Sequence, residues 1–194
     1  MTSLLFDLDG VLLRPKTVAG KRRVEQVIGT DDHIWETYED LRPAYDAADV
    51  SDERFWRQVQ LRADLDPFDY SEAIVADWEA SLHENTEMVE LVTWLIDEGW
   101  RCGVLANMPP GLGERARENL SWLGKLEAVT LSGDIGVAKP DRRAFAVGVD
   151  AMGASAKDTV FFDDRPDYVA AAEEFGLRAV LFEGPQSVLE VVQA

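Results

Sequence analysis

The chain has 194 residues, 46% of them hydrophobic and 29% charged, and its formal net charge at pH 7 is −18. This length suits one α/β domain with a sizeable core, or one such domain with a large insertion. No run approaches the roughly 18 to 20 apolar residues of a membrane span. The negative net charge also repels phosphate backbones and anionic lipids. We therefore expect neither a membrane nor a nucleic acid as partner.

The first predicted strand is SLLFDL, over residues 3 to 8. The chain enters it directly from Met1, without a basic stretch, an apolar run and a small-residue cleavage site, so the expected location is the cytoplasm. Asp7 and Asp9 interrupt the apolar run at its end, and Gly10 follows them. Two carboxylates at the end of a buried strand indicate a chemical use rather than packing.

Residues 15 to 84 form what we call the cap segment. Its apolar residues recur at helical spacing, with Ser51 and Ser71 at the expected N-caps, which predicts a small helical bundle inserted after the first strand. The predicted domains are therefore a core of residues 1–14 and 85–194 and a cap of residues 15–84. The aromatic residues expected to form the cap core and its seam with the rest of the chain are Trp35, Tyr38, Tyr45, Phe55, Trp56 and Trp78.

Beyond residue 85, strand-like runs alternate with helical patterns. The strands are predicted over 101–107, 127–132, 159–164 and 178–183, and the helices over 86–98, 112–122, 141–151 and 166–175. This alternation predicts an α/β fold with a doubly wound parallel sheet. Cys102, the one cysteine, lies in the second strand and is expected to be a small buried hydrophobe, so no intrachain disulfide forms.

Ligands of such sheets bind beyond the carboxyl ends of the strands, and the polar residues there define the candidate site. The residues that follow the strand ends are Asp7, Asp9, Ala106, Asn107, Lys139 in the loop SGDIGVAKP, Asp163 and Asp164. Clustered acids cannot all stay charged and unpaired, so the pattern predicts a hard divalent cation, Mg²⁺, which binds carboxylate and phosphate oxygens. Arg14, Lys16 and Arg165 are candidates for a local positive field that would offset the negative charge of the molecule.

The motifs FDLDGV, LANMP, VAKP and FFDDRPD resemble, in order and spacing, those of the haloacid dehalogenase-like (HAD) hydrolase superfamily. The resemblance runs over essentially the whole chain and implies a HAD-like Rossmannoid core with an α-helical cap. The pattern is most similar to bacterial sugar-phosphate phosphatases such as α-D-glucose-1-phosphatase and to the phosphatase domain of epoxide hydrolases.

Chemistry assigns the roles, and the resemblance implies the same ones. Asp7 attacks phosphorus to form an aspartyl-phosphate, and Asp9 acts as general acid and then as base. Lys139 offsets the charge of Asp7 and of the phosphoryl oxygens. Asp163 and Asp164 complete the metal site with Asp7 and Asp9, although the sequence does not say which of the pair binds directly; the resemblance adds that Asp9 binds through its backbone carbonyl.

The predicted phosphate-binding residues are Lys139, Ala106 and Asn107, and Ala106 departs from the family pattern. The family usually has Ser or Thr there, whose hydroxyl donates to the phosphoryl group. Losing one such donor costs about 10²–10³ in rate, which predicts a weakened enzyme. Backbone N–H groups or the Asn107 amide would take over part of that role.

The predicted function is Mg²⁺-dependent hydrolysis of a small phosphorylated metabolite, with sugar phosphates among the candidates. Alternatives are a 2-haloacid dehalogenase, in which the same aspartate attacks carbon without a metal, a phosphomutase, and a binding protein attenuated by Ala106. A His-dependent hydrolase is disfavoured because His33 and His83, the two histidines, lie in the predicted cap. Monomer and homodimer remain open.

Overall fold

A computed structural model describes residues 2 to 193 and contains the predicted parallel sheet. Its five strands run in the order β3-β2-β1-β4-β5. They are β1 (Ser3–Phe6), β2 (Arg101–Ala106), β3 (Ala128–Leu131), β4 (Thr159–Asp163) and β5 (Arg178–Leu181). The register places Phe6 beside Val104 on one side and Phe162 on the other. The strand order reverses at β1, so β1 and β4 flank the switch point at which such sheets bind ligands.

Four helices fill the cap segment: α1 (Val18–Ile28), α2 (Ile34–Asp46), α3 (Asp52–Arg62) and α4 (Tyr70–Ser81). Ser51 caps α3 as predicted, because its side chain accepts a hydrogen bond from the Arg54 N–H. The prediction of Ser71 as the cap of α4 is wrong. Asp69 caps this helix instead, since a carboxylate two residues earlier accepts from the N–H groups of both Ser71 and Glu72.

The cap aromatics divide as the sequence predicts between a cap core and a seam. One buried cluster holds Trp35, Tyr38, Tyr45, Phe55 and Trp56. Trp78 packs instead against the cluster that includes the central strands. The boundaries at residues 14/15 and 84/85 stay a prediction.

Six helices follow: α5 (Thr86–Asp97), α6 (Pro110–Asn119), α7 (Ser132–Ile135), α8 (Arg142–Ala151), α9 (Pro166–Phe175) and α10 (Pro185–Val192). The predicted helices over 86–98, 141–151 and 166–175 are confirmed to within a residue at each end. The one over 112–122 starts earlier, at Pro110, and ends at Asn119, after which Ser121–Lys125 form a 3-10 turn. Helix α10 was not predicted.

Successive residues of each strand pack on opposite faces of the sheet. Leu4, Phe6 and Cys102 join one buried cluster with residues of α5, α6 and α10, whereas Leu5 and Phe161 join another with residues of α8 and α9. The strands are thus apolar on both sides, as parallel strands covered by helices require. This confirms the doubly wound α/β prediction and the burial of Cys102. Within residues 2 to 193, no helix combines the length and apolar character needed to cross a bilayer.

Candidate active site

The central strands place two predicted acids side by side. Asp7 follows β1 directly, and its N–H donates to the Phe162 carbonyl at 2.9 Å, which extends the β1–β4 ladder by one residue. Asp163 is the last residue of β4. Asp7 is 6% exposed and Asp163 fully buried, so both carboxylates are removed from bulk water at the ligand-binding edge of the sheet.

Gly10 allows the loop after β1 to turn against the loop after β4. Its φ is +78°, in the region that favours glycine, and a Cβ at this position would overlap the Asp164 carboxylate. Only glycine meets both requirements of this position, a positive φ and space for a neighbouring carboxylate. It turns the chain after Asp9, and it leaves room for Asp164.

Lys139 joins the two buried acids. Its Nζ lies 2.9 Å from Asp7 Oδ1 and 2.6 Å from Asp163 Oδ2, and its side chain is fully buried. Burial alone would lower the pKa of Lys139, but the adjacent Asp7 and Asp163 outweigh it and raise that pKa. The lysine is therefore held as a cation between the two carboxylates.

Three carboxylates converge at this edge. One oxygen each from Asp7, Asp163 and Asp164 lies within 4.8 Å of the others. Asp163 already accepts from Lys139 Nζ on one oxygen and from the Arg165 N–H, at 2.9 Å, on the other. The exposed Asp9 carboxylate lies outside this group of three, although it lines the same cleft.

The electrostatics of the cluster favour a bound cation. Burial raises the pKa of Asp7 to about 8, Lys139 opposes this rise and Asp163 adds to it. Burial also raises the pKa of Asp164, with the charges of Asp163 and Asp9 adding to the effect. A divalent cation favours the ionised carboxylates, so this donor set fits Mg²⁺, which takes oxygen ligands.

Asn107 positions Lys139 through both ends of its amide. Its Oδ1 accepts from the Lys139 N–H at 2.8 Å, and its Nδ2 donates to the Lys139 carbonyl at 2.8 Å and to the Tyr168 hydroxyl at 3.1 Å. Both N–H donors of the amide are therefore engaged, which argues against the expectation that the Asn107 amide replaces the missing hydroxyl. Ala106, 1% exposed, ends β2 just before it.

The site lies at the bottom of a cleft of about 480 Å³ between the strand ends and the cap segment. The cap residues that line it are Lys16, Tyr38, Glu39, Arg42, Pro43 and Asp46. Of these, only Lys16 is among the candidates that the sequence offers for the site. The four-residue spacing of Tyr38, Arg42 and Asp46 on α2, which puts them on one helical face, is the signal that could have found them. Arg14 does not line the cleft.

A family model described as haloacid dehalogenase-like hydrolase matches residues 1–176. The chain belongs to this family of hydrolases. This match confirms the family resemblance of the sequence motifs and the fold that the resemblance implies.

One relative with a similar sequence has a more specific name. A phosphatase of Mycobacterium tuberculosis is 38% identical over 86 residues, which are 44% of this chain and 40% of that protein. The match thus spans less than half of the curated relative.

Solved HAD structures share the whole fold. A HAD family enzyme of Bacteroides thetaiotaomicron, in complex with magnesium and inorganic phosphate, superposes with a TM-score of 0.75 at 16% identity, over 95% of this chain and 96% of that one. An L-2-haloacid dehalogenase superposes with a TM-score of 0.73 at 18% identity, over 100% and 99% of the two chains. At these identities the likeness concerns the fold alone.

Proposed function

We propose that this HAD hydrolase is a Mg²⁺-dependent phosphatase that acts on a small phosphate monoester. The observation that carries the proposal is the arrangement around Asp7, whose carboxylate lies 2.9 Å from the buried Lys139 ammonium and within 4.8 Å of two further acids. The cation at Asp7 and a metal beside it would both offset the charge of a phosphoryl group, which is the main requirement for phosphoryl transfer.

The proposed reaction has two steps. An Asp7 oxygen forms a bond to phosphorus while the bond from phosphorus to the leaving oxygen breaks, and Asp9 gives that oxygen its proton. Water then attacks the phosphorus of the aspartyl-phosphate while Asp9 takes a proton from the water. The bond from phosphorus to the Asp7 oxygen breaks, which frees the Asp7 carboxylate and releases inorganic phosphate. Asp9 suits this exchange because its carboxylate is exposed, lines the cleft and lies outside the group of three acids.

The metal would be held by Asp7 and Asp164, with Asp163 acting mainly through Lys139. Both Asp163 oxygens already accept hydrogen bonds, whereas Asp164 is exposed toward the cleft. When bound, Mg²⁺ would supply charge neutralisation at the transferring phosphoryl group. The contribution of Asp9 to the metal through its backbone carbonyl stays a prediction.

The dehalogenase alternative shares the fold, so the fold does not separate the two activities. The three-acid group supports the phosphatase, because attack on carbon requires no metal. Asp9 in the lining of the cleft supports it as well, because attack on carbon requires no group that protonates an alkoxide. The phosphatase relative supports the same choice.

The first prediction concerns Asp7. Hydrolysis of p-nitrophenyl phosphate should require Mg²⁺, stop with EDTA, and fall by at least about 10³ in Asp7→Asn, since the variant lacks the nucleophile. Asp40→Asn, which removes an exposed acid of α2 outside the cleft, is the control and should retain the activity. Activity that survives in Asp7→Asn, or chloride release from 2-chloropropionate without metal, would contradict the proposal.

A further inference from the structure

The cations that line the cleft are all paired with acids. Besides Lys139, Lys16 Nζ lies 3.4 Å from Asp77, an Arg42 Nη lies 2.7 Å from Asp46, and an Arg165 Nη lies 2.7 Å from Asp167. Glu39, Asp9 and Asp164 add further acids to the lining. Lys16 and Arg165, two of the candidates for a local positive field, are thus already paired with acids, and the cleft offers no spare cation to a second anionic group.

Tyr38 holds two of these cations in place. Its hydroxyl donates to Asp77, with its two oxygens at 2.9 and 3.0 Å, and accepts from Arg42 at 2.7 Å and from Lys16 at 3.1 Å. Tyr38 and Asp77 are each 1% exposed. A hydroxyl with one donated and two accepted bonds has no capacity left for a ligand, so Tyr38 positions Arg42 rather than binding substrate itself.

Arg42 and Asp46 form a pair in the cap that keeps donors and an acceptor for a ligand. The Arg42 side chain is 17% exposed and that of Asp46 12%, and both line the cleft that Asp7 also lines. Arg42 uses one N–H on Tyr38 and one on Asp46, which leaves three of its five donors. Of the Asp46 oxygens, Oδ1 accepts from Arg42, and Oδ2 accepts no hydrogen bond from any residue between 2 and 193.

We propose that the Arg42–Asp46 pair recognises the leaving group, and that the cleft selects phosphate esters whose leaving group is neutral and hydroxylated over those that carry a second negative charge. This inference rests on the phosphatase function proposed above. A donor beside an acceptor matches neighbouring hydroxyl groups, each of which can accept and donate. A second carboxylate or phosphate would instead meet Asp46 and Glu39 with no free cation to offset them.

The test uses sn-glycerol 3-phosphate and 3-phosphoglycerate, which differ in that 3-phosphoglycerate carries a carboxylate where glycerol 3-phosphate carries a hydroxymethyl group. Their affinities for the full-length Asp7→Asn protein with Mg²⁺ are measured by calorimetry, so that turnover does not interfere. Glycerol 3-phosphate should bind about tenfold more tightly, because like charges in a partly buried cleft repel. Equal binding, or tighter binding of 3-phosphoglycerate, would overturn the proposal.

Two further variants, made in the same background, locate the effect. Asp46→Asn keeps the shape and removes the charge, so the preference should shrink to about threefold or less, whereas Asp40→Asn, the same change on the exposed side of α2, should leave it unchanged. Arg42→Lys should weaken glycerol 3-phosphate binding about tenfold, because an ammonium cannot serve Tyr38, Asp46 and a substrate hydroxyl in the geometry of a guanidinium. Melting curves verify that each variant is folded.

Failure of this inference can be told apart from failure of the phosphatase proposal. A binding preference that depends on Asp46, in a protein whose wild type hydrolyses no phosphate ester, would contradict the phosphatase function and uphold the recognition by Arg42 and Asp46. Hydrolysis of a phosphate ester by the wild type without any such preference would uphold the phosphatase function and overturn the recognition by Arg42 and Asp46. A preference that Asp46→Asn and Asp40→Asn reduce equally would also overturn the role of the pair.

Discussion

Single residues at the strand ends determine the charge of the site. Lys139 contacts Asp7 and Asp163 within 3 Å, and Asn107 fixes the backbone of Lys139 from both sides. Removing one partner of such a buried group leaves an uncompensated charge, which typically costs about 3–5 kcal/mol. The lysine is thus as important for keeping the two acids together as for the proposed chemistry.

Ala106 gives a prediction at this scale. Ala106→Ser places a hydroxyl donor at the end of β2, where the family usually has one, and kcat for p-nitrophenyl phosphate should rise by at least about tenfold, part of the roughly 10²–10³ that such a donor contributes. Ala138→Ser, which adds a hydroxyl elsewhere in the lining of the cleft, is the matched control. An unchanged kcat in Ala106→Ser would mean that the phosphoryl group is already fully bound by other donors.

At the level of elements, one buried hydroxyl connects the cap segment to the strand ends. Ser132 Oγ, at the start of α7, donates to the Asp46 carbonyl at 2.5 Å and accepts from the Met108 N–H at 2.8 Å. Asp46 is the last residue of α2, and Met108 lies in the loop after β2. The contact thus docks the helix that carries Arg42 and Asp46 onto the core.

Ser132→Ala should therefore lower the free energy of unfolding by about 1–3 kcal/mol, because a buried carbonyl and a buried N–H lose their partner. Urea denaturation followed by circular dichroism measures the change. Ser155→Ala removes an exposed hydroxyl and should change the free energy by less than about 0.5 kcal/mol. Equal losses in the two variants would show that the Ser132 contact does not stabilise the docked cap.

Helix α8 yields a pH-dependent prediction. Asp141 caps it, and hydrogen bonds from the Arg143 side chain and N–H lower the pKa of Asp141 to about 2. A pKa lower in the folded than in the unfolded chain contributes stability above the unfolded value, and this contribution is lost as the pH falls toward the folded value. Asp141→Ala should thus lower the melting temperature at pH 7, by a difference that shrinks between about pH 4 and pH 2. A difference that stays constant over that range would show that the ionised Asp141 carboxylate is not what stabilises the helix.

For the whole molecule, the net charge of −18 sets the response to salt. At low ionic strength the acids of the surface repel one another, and this repulsion destabilises the compact state. Raising NaCl from about 0.01 to 0.15 M shortens the screening length from about 30 to 8 Å, so the melting temperature should rise. A scan with sucrose at matched osmolality controls for excluded-solute effects, and a melting temperature that falls with NaCl would count against a dominant role of self-repulsion.

The sheet, most helices and the chemical character of the site could be predicted from the amino-acid order. Apolar runs such as LLF and VFF, helical spacing and acids directly after strands are local patterns, and parallel strands bring their carboxyl ends to one edge whatever the details of packing. Asp7, Lys139, Asp163 and Asp164 could therefore be placed together in advance. The cap of α4 could not, because Asp69 and Ser71 are both good capping residues and only the backbone geometry separates them.

The cap residues that line the cleft could be identified only from the folded structure. From the sequence, Tyr38 is one of the expected cap aromatics, and Lys16 and Arg165 are candidates for a positive field. The sequence does not show that Asp77 and Asp167 neutralise these two cations. Asp77 lies 39 residues from Tyr38 and on a different helix, yet its carboxylate accepts the proton of the Tyr38 hydroxyl. Such pairings depend on how helices pack across the cap and how the cap meets the sheet, and residue spacing within one element carries no information about either.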